Sequence, residues 1–228
     1  MDGLGISTKH INTFYADHTM QTPYPFIVVA GPQSSGKTTT LLALRQQGYA
    51  VIWESALTLI RRVKHEGHKP EEYMRTHFRE FQERLTQIQA HREDRMRRVF
   101  PPWPFYLCDR CDVDQLAYYT RAEITPPAHL DDGLLRARYS PTVFWMEMLP
   151  EEYWNKTKHG KPRTTTYEEG VELGRHLRHV YERIGFMLIE IPYGGRTEYV
   201  RAEDITGHLR SMRLLQTALD VTVRNLLS

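Results

Sequence analysis

Pro25-Phe-Ile-Val-Val-Ala30-Gly31-Pro-Gln-Ser-Ser-Gly36-Lys37-Thr38-Thr39 sets a short β-branched apolar run directly against a glycine-rich turn. An apolar run of this length between proline and glycine reads as a strand buried on both faces. Residues 39–47, with leucines at 41, 42 and 44 and Gly48 behind them, read as a helix with a glycine stop. Between strand and helix, Gly-x-x-x-x-Gly-Lys-Thr lets the backbone curl so that successive amide hydrogens face phosphate oxygens. Lys37 adds a charge at the β and γ phosphates, Thr38 offers a hydroxyl to magnesium, and the helix beginning near Gly36 adds its positive end. The expected nucleotide-binding residues are therefore Gly31, Pro32, Gln33, Ser34, Ser35, Gly36, Lys37, Thr38 and Thr39, with ATP and Mg2+ as cofactors.

Outward from this loop, residues 49–53 read as a second strand closing at Glu54, and 56–63 as a helix, which completes a β-α-β unit suited to parallel pairing. Apolar residues at 74, 78, 81, 85, 88, 96 and 99 predict one long amphipathic helix over 70–100. Residues 104–108, 142–146 and 186–191 read as further buried strands. Residues 167–184 read as a helix stopped by Gly185, and the tail from 202 is helical by its spacing of apolar positions. Residues 151–166 are polar, basic and turn-rich and predict a mobile loop. Strands alternating with helices imply an α/β protein, a three-layer α/β/α P-loop NTPase fold with a mainly parallel five-stranded sheet and a lid. Its domain spans 25–228 behind an N-terminal extension of residues 1–24, with the lid at about 151–166.

Composition agrees with a folded globular chain and excludes collagen-like and disordered classes: 228 residues, 40% apolar, 25% charged, 14 glycines and 13 prolines. No stretch approaches the roughly 20 apolar residues that span a bilayer, and residues 1–20 lack the basic-then-apolar pattern of a secretory signal. The expectation is a soluble, intracellular, cytoplasmic protein with no membrane partner. A net charge of +2 announces no polyanionic partner by itself. The two cysteines, Cys108 and Cys111, are too few for a disulfide framework; in their Cys-x-x-Cys spacing a zinc site would need two further ligands, and the leading reading is a buried thiol and a neighbour.

In an open α/β sheet, residues at the carboxyl ends of strands face the crevice beside the phosphate loop. Glu54 and Asp109 both fall at such ends. Asp109 is expected to hold magnesium, with Thr38, or to take the proton of an attacking hydroxyl; Glu54 is the rival base. Charge that spreads over a moving phosphoryl group calls for cations that close on it. Arg110 stands beside the acid, and the loop Lys156-Thr-Lys158-His159-Gly160-Lys161-Pro-Arg163 supplies others, with Arg163 favoured as the lid arginine.

Three stretches carry a resemblance: FIVVAGPQSSGKTTTLLALRQQGYAVIWESALTLI, FYLCDRCDVDQLAYY and KPRTTTYEEGVELGRHLRHVYERIGFMLIEIP. Together they resemble the AAA-type P-loop domain of the NadR/Ttd14-like family, in the kinase branch that includes nucleoside and thymidylate kinases. The second stretch matches its Asp-Arg motif through Asp109, Arg110, Asp114, Ala117 and Tyr118. The third matches a lid arginine and strand start through Arg163, Thr164 or Thr166, Gly185 and Phe186. The resemblance implies an ATP-dependent kinase in which Glu54 or Asp109 activates a hydroxyl, Arg110 grips substrate or phosphate, and Arg163 closes over the donor. The helix over 70–100, residues 125–138 and the first 24 residues depart from the family pattern, and these are the regions that shape an acceptor site.

The acceptor is expected to be a nucleoside, a nucleotide or a nucleotide-like group. An alternative is 5-hydroxymethyluracil within DNA, suggested by His91-Arg92-Glu-Asp-Arg95-Met-Arg97-Arg98 with Trp103 following, and by the basic loop. The competing reading makes those arginines an ordinary solvated helix face. A third possibility is a regulatory NTPase with slow turnover. Oligomeric state is not written in the sequence.

Overall fold

The structure is a computed structural model and describes residues 26–99, 105–154 and 165–227. The strands are β1 (Phe26–Ala30), β2 (Val51–Ile52), β3 (Tyr106–Asp109), β4 (Tyr139–Met146) and β5 (Met187–Ile191). They form one sheet in the order β2-β3-β1-β4-β5, and every neighbouring pair is parallel. The helices are α1 (Lys37–Gln46), α2 (Ser55–His65), α3 (Pro70–Thr76), α4 (Phe78–Val99), α5 (Asp112–Arg121), α6 (Asp132–Arg138), α7 (Tyr167–Ile184) and α8 (Glu198–Leu227), with short 3-10 turns at Ala128–Leu130 and Glu151–Tyr153. This is the α/β/α P-loop fold that the sequence predicts.

β1 is central, and all five of its residues are buried. Its side chains alternate between two cores, as the period of a strand requires. Phe26, Val28 and Ala30 join Tyr106, Cys108, Val143 and Trp145 under α5 and α7, through Leu116 and Leu177. Ile27 and Val29 join Leu107, Phe144 and Met146 under α1 and α8, through Leu41, Leu44, Ile205 and Leu209. A third cluster, Leu59, Val63, Tyr73, Phe81 and Leu85, knits α2, α3 and α4 together away from the sheet. Each large apolar side chain buried this way is worth about 1.5–3 kcal/mol.

Several elements differ from the sequence reading. The helix expected over 70–100 is two helices, broken at His77, whose backbone leaves the helical region at φ −121° and ψ 41°. Thr76 donates its hydroxyl to the Glu72 carbonyl and meets the His77 ring, a local bond of the kind that competes with the helical ladder. The break lets Tyr73 turn into the third cluster while α4 runs on in its own direction. β2 is reduced to two residues, and β4 begins three residues before the predicted start. α5 was not expected. Residues 125–138, unplaced from sequence, contain a 3-10 turn and then α6, whose start is capped by Asp131 accepting from the Gly133 and Leu134 amides. The N-terminal extension of residues 1–24 and most of the lid expected at 151–166, Lys156, Lys158 and Arg163 included, lie outside the described residues. None of the described helices is long and apolar enough to cross a membrane.

Candidate active site

The site forms at the carboxyl ends of the parallel strands. β1 delivers the loop from Gly31 to Gly36, and β3, its neighbour with Val29 opposite Asp109, delivers that acid beside the loop. Gly31 has φ 141°, and a Cβ there would lie 2.5 Å from the Met146 carbonyl oxygen, so only glycine lets β1 and β4 approach as they turn into the site. Ser34 at φ 55° and Gly36 at φ 75° continue the curl. α1 starts at Gly36 with no side-chain cap and no acidic residue in its first turn, which leaves its amide hydrogens and positive end open to an anion.

The loop carbonyls are tied away from that opening. Lys37 Nζ donates to Gly31 O at 3.0 Å, Pro32 O at 2.5 Å and Ser35 Oγ at 2.9 Å. Leu149 N donates to Ser34 O, and Thr40 N with Thr39 Oγ1 donates to Gly36 O. Ser35 O accepts from Arg201 Nη1 at 2.7 Å. With the carbonyls of Gly31, Pro32, Ser34, Ser35 and Gly36 engaged, the loop presents donors, the polarity a phosphate demands. Burial pushes the Lys37 ammonium down from 10.5 to about 7, and the nearby Arg110 charge adds to the effect. Phosphate oxygens against Nζ would reverse both.

Thr38 Oγ1 donates to Asp109 Oδ2 at 3.0 Å. The other carboxylate oxygen, Asp109 Oδ1, is buried without a hydrogen-bond partner among the described residues. Burial, and then the like charge of Glu54, raises Asp109 from 3.8 to about 6. A hydroxyl and an unsatisfied carboxylate oxygen side by side fit the hard oxygen ligand set of Mg2+, which takes few protein ligands and fills the rest with water and phosphate. Among the described residues no group of three His, Cys, Asp or Glu side chains forms a dedicated metal cage.

Glu54 precedes α2, yet its carboxylate does not cap that helix and instead meets Arg110 Nε at 3.2 Å. Arg110 adopts φ 68°, an uncommon backbone for a residue with a side chain, and its guanidinium also holds Asp114 at 2.7 Å. Asp114 is fully buried, and its second oxygen accepts from Cys111 N and from Tyr181 OH. Burial works against the Arg110 charge, but Asp114, Tyr118 and Glu54 outweigh it and raise its pKa further. The guanidinium is thus fixed in place before any ligand arrives.

A cleft of about 560 Å³ runs from Gln33–Thr39 past Glu54, Asp109 and Arg110 to a far end walled by α2, α3, α4 and α5. Lys37, Thr38, Glu54, Asp109 and Arg110, all predicted from sequence, meet there. Gly31 and Pro32 stand behind the loop. Cys108 is buried in β3, and Cys111 is buried with Sγ 3.3 Å from Tyr181 OH.

Two arginines that no local pattern marks hold the site together. Arg201 of α8 is 2% exposed and joins Ser35 O, Glu147 O and Ile191 O, the loop and the ends of β4 and β5. Arg92 of α4 donates to Trp53 O, Glu54 O and Thr58 Oγ1 and so fixes the chain at Glu54. Arg92, which the sequence places in a basic cluster suited to DNA, turns inward instead. So does Arg97, 4.7 Å from the Phe26 ring, while Arg98 pairs with Asp94 on the exposed side.

No curated protein matches this chain. Among solved structures, shikimate kinase from Aquifex aeolicus vf5 is similar at 15% identity and a TM-score of 0.49, over 82% of this chain and 98% of that one. Shikimate kinase from Acinetobacter baumannii in complex with shikimate is similar at 17% identity and 0.48, over 88% and 99%. A family profile described as an AAA domain matches residues 26–198, from the first residue of β1 to the first of α8. Because that match spans more than half of the chain, the protein belongs to this AAA domain family.

Proposed function

We propose that the protein is an ATP-dependent kinase that phosphorylates a hydroxyl of a nucleoside, nucleotide or nucleotide-like acceptor, in keeping with the resemblance to the NadR/Ttd14-like group. The observation that carries this reading is the convergence of a donor-presenting loop, two carboxylates and a pre-fixed guanidinium on one cleft with room for a second substrate.

The loop amides and Lys37 hold the β and γ phosphates of ATP. Thr38 and Asp109 would hold Mg2+, which when bound neutralises charge on the transferred group. Arg110, pinned by Glu54 and Asp114, faces the same charge without having to reorganise. The acceptor oxygen bonds to the γ phosphorus as the bond to the β-bridging oxygen breaks, ADP departs, and the hydroxyl proton passes to a carboxylate. We assign this proton to Glu54, because Asp109 is given with Thr38 to the metal. Arg163 would close from the lid.

The decisive experiment is transfer of labelled γ-phosphate from ATP to a panel of free nucleosides, nucleotides, and plain or 5-hydroxymethyluracil-containing DNA. Label should appear on one acceptor class and vanish with Lys37→Ala. Hydrolysis to inorganic phosphate alone, equal with and without every acceptor, would refute the kinase reading. Glu54→Gln should retain nucleotide affinity while losing transfer, and Arg163→Ala should lower kcat more than nucleotide affinity.

A further inference from the structure

The far end of the cleft carries information about the acceptor, given that the chain is a kinase. We infer that it takes an uncharged, unphosphorylated nucleoside whose base N–H groups are bonded by the side-chain carbonyls of Gln82 and Gln115.

Charge is confined to one end. The ionisable Lys, Arg, Asp and Glu side chains lining the cleft are Lys37, Glu54, Asp109 and Arg110, all at the phosphate end. Lys37 is tied into the loop, and Arg110 is shared between two carboxylates. Beyond them the walls are apolar, with Ile60 from α2, Met74 from α3 and Phe81 and Leu85 from α4. A second phosphate or a carboxylate placed there would be buried with no free Lys or Arg among the lining residues, and an isolated buried anion is strongly disfavoured. A flat uncharged ring suits such walls.

Polar recognition is left to two amides. Gln82 is 5% exposed, and both Gln82 Oε1 and Gln115 Oε1 are buried without a hydrogen-bond partner among the described residues. Gln89, two turns further along α4 on the same side, is the contrast. Its Oε1 accepts from Ser55 Oγ at 2.9 Å and its Nε2 donates to Glu93 at 2.7 Å, so its amide is spent inside the protein. Buried carbonyl oxygens are normally satisfied, and two left open in one chamber call for donors from a ligand. Pyrimidine and purine bases carry such donors, amide N–H or exocyclic NH2, on an uncharged ring.

The test uses the common ribonucleosides and deoxyribonucleosides, their 5′-monophosphates, shikimate and single-stranded DNA as acceptors for the intact protein. A free nucleoside should exceed its own monophosphate and shikimate by at least about a hundredfold in kcat/KM. Methylating the base nitrogen of the preferred nucleoside should raise its KM for the wild type roughly three- to tenfold or more, the scale of a lost hydrogen bond. Gln82→Leu and Gln115→Leu should raise the KM of the unmethylated nucleoside by a similar factor, more than they lower kcat. At least one of them should erase the discrimination against the methylated base. Preference for a monophosphate, for shikimate or for DNA would overturn this inference and leave the kinase reading standing, as would full discrimination in both leucine variants. Transfer to none of the probes would remove the kinase reading itself, and this inference with it.

Discussion

Replacing Asp109 with asparagine should make the folded protein more stable while abolishing phosphoryl transfer. Asp109 is 2% exposed, and its pKa rises from 3.8 to about 6 through burial and the Glu54 charge. The native state therefore binds this proton more tightly than the unfolded chain does. The linked stability is fully present below pH 3.8 and is lost as pH rises through about 6. At about 1.4 kcal/mol per pH unit, ionising Asp109 in the fold costs about 3 kcal/mol at pH 8. Asparagine avoids that cost and can still accept from Thr38. Arg110 loses a compensating anion, so the expected gain at pH 8 is about 1–3 kcal/mol. The gain should shrink to about half at pH 5 and about a fifth at pH 4. Urea unfolding of both proteins at these three pH values, without nucleotide, measures it. Transfer should fall at least about a hundredfold, mainly in kcat, because the amide lacks the negative charge a metal needs. An asparagine variant that is less stable than wild type at pH 8 by more than about 1 kcal/mol would refute the electrostatic argument. One that keeps more than about a tenth of the rate would refute the assigned role.

Nucleotide binding should take up a proton, because phosphate against Lys37 restores the ammonium that burial holds at about 7. Calorimetry with a non-hydrolysable ATP analogue in two buffers of different ionisation enthalpy should show uptake approaching one proton at pH 8 and vanishing below about pH 6; uptake that does not vary with pH would contradict it. Arg138 lies between Glu93 and Asp112, both fully buried, at 2.5 and 2.9 Å. Arg138→Met strands both carboxylates and should cost about 3–5 kcal/mol in urea unfolding, with a loss below about 1 kcal/mol counting against the pairing. Arg201→Met takes the side-chain donor from Ser35 O and Glu147 O and leaves Ile191 O only the Glu147 amide, so nucleotide affinity should fall about tenfold or more, with partial recovery in Arg201→Lys; unchanged affinity would mean the loop holds its shape without this strut.

The elements that depend on neighbours in sequence were legible in it. The β1 run, the Gly-x-x-x-x-Gly-Lys-Thr turn and the leucines of α1 report their own geometry, because side-chain period and loop chemistry act over a few residues. Glu54 and Asp109 were legible too, since a residue at the end of a buried parallel strand has one place to go. The His77 break was not, because it answers to the packing of Tyr73 rather than to apolar spacing. Arg92 and Arg97 looked like a solvent or DNA face, since nothing local shows that Trp53 and Phe26 lie against α4. Arg201 reaches Ser35 across 166 positions and Arg138 reaches Glu93 across 45. Such pairs exist only once the strands have assembled in the order β2-β3-β1-β4-β5. The same assembly confines the charges to one end of the cleft and leaves Gln82 and Gln115 open at the other. The sequence by itself determined the strand, the glycine-rich turn and the helix whose chemistry suits a phosphate. The tertiary structure decided which side chains hold the loop and what the opposite chamber offers, because both depend on contacts between residues far apart in the chain.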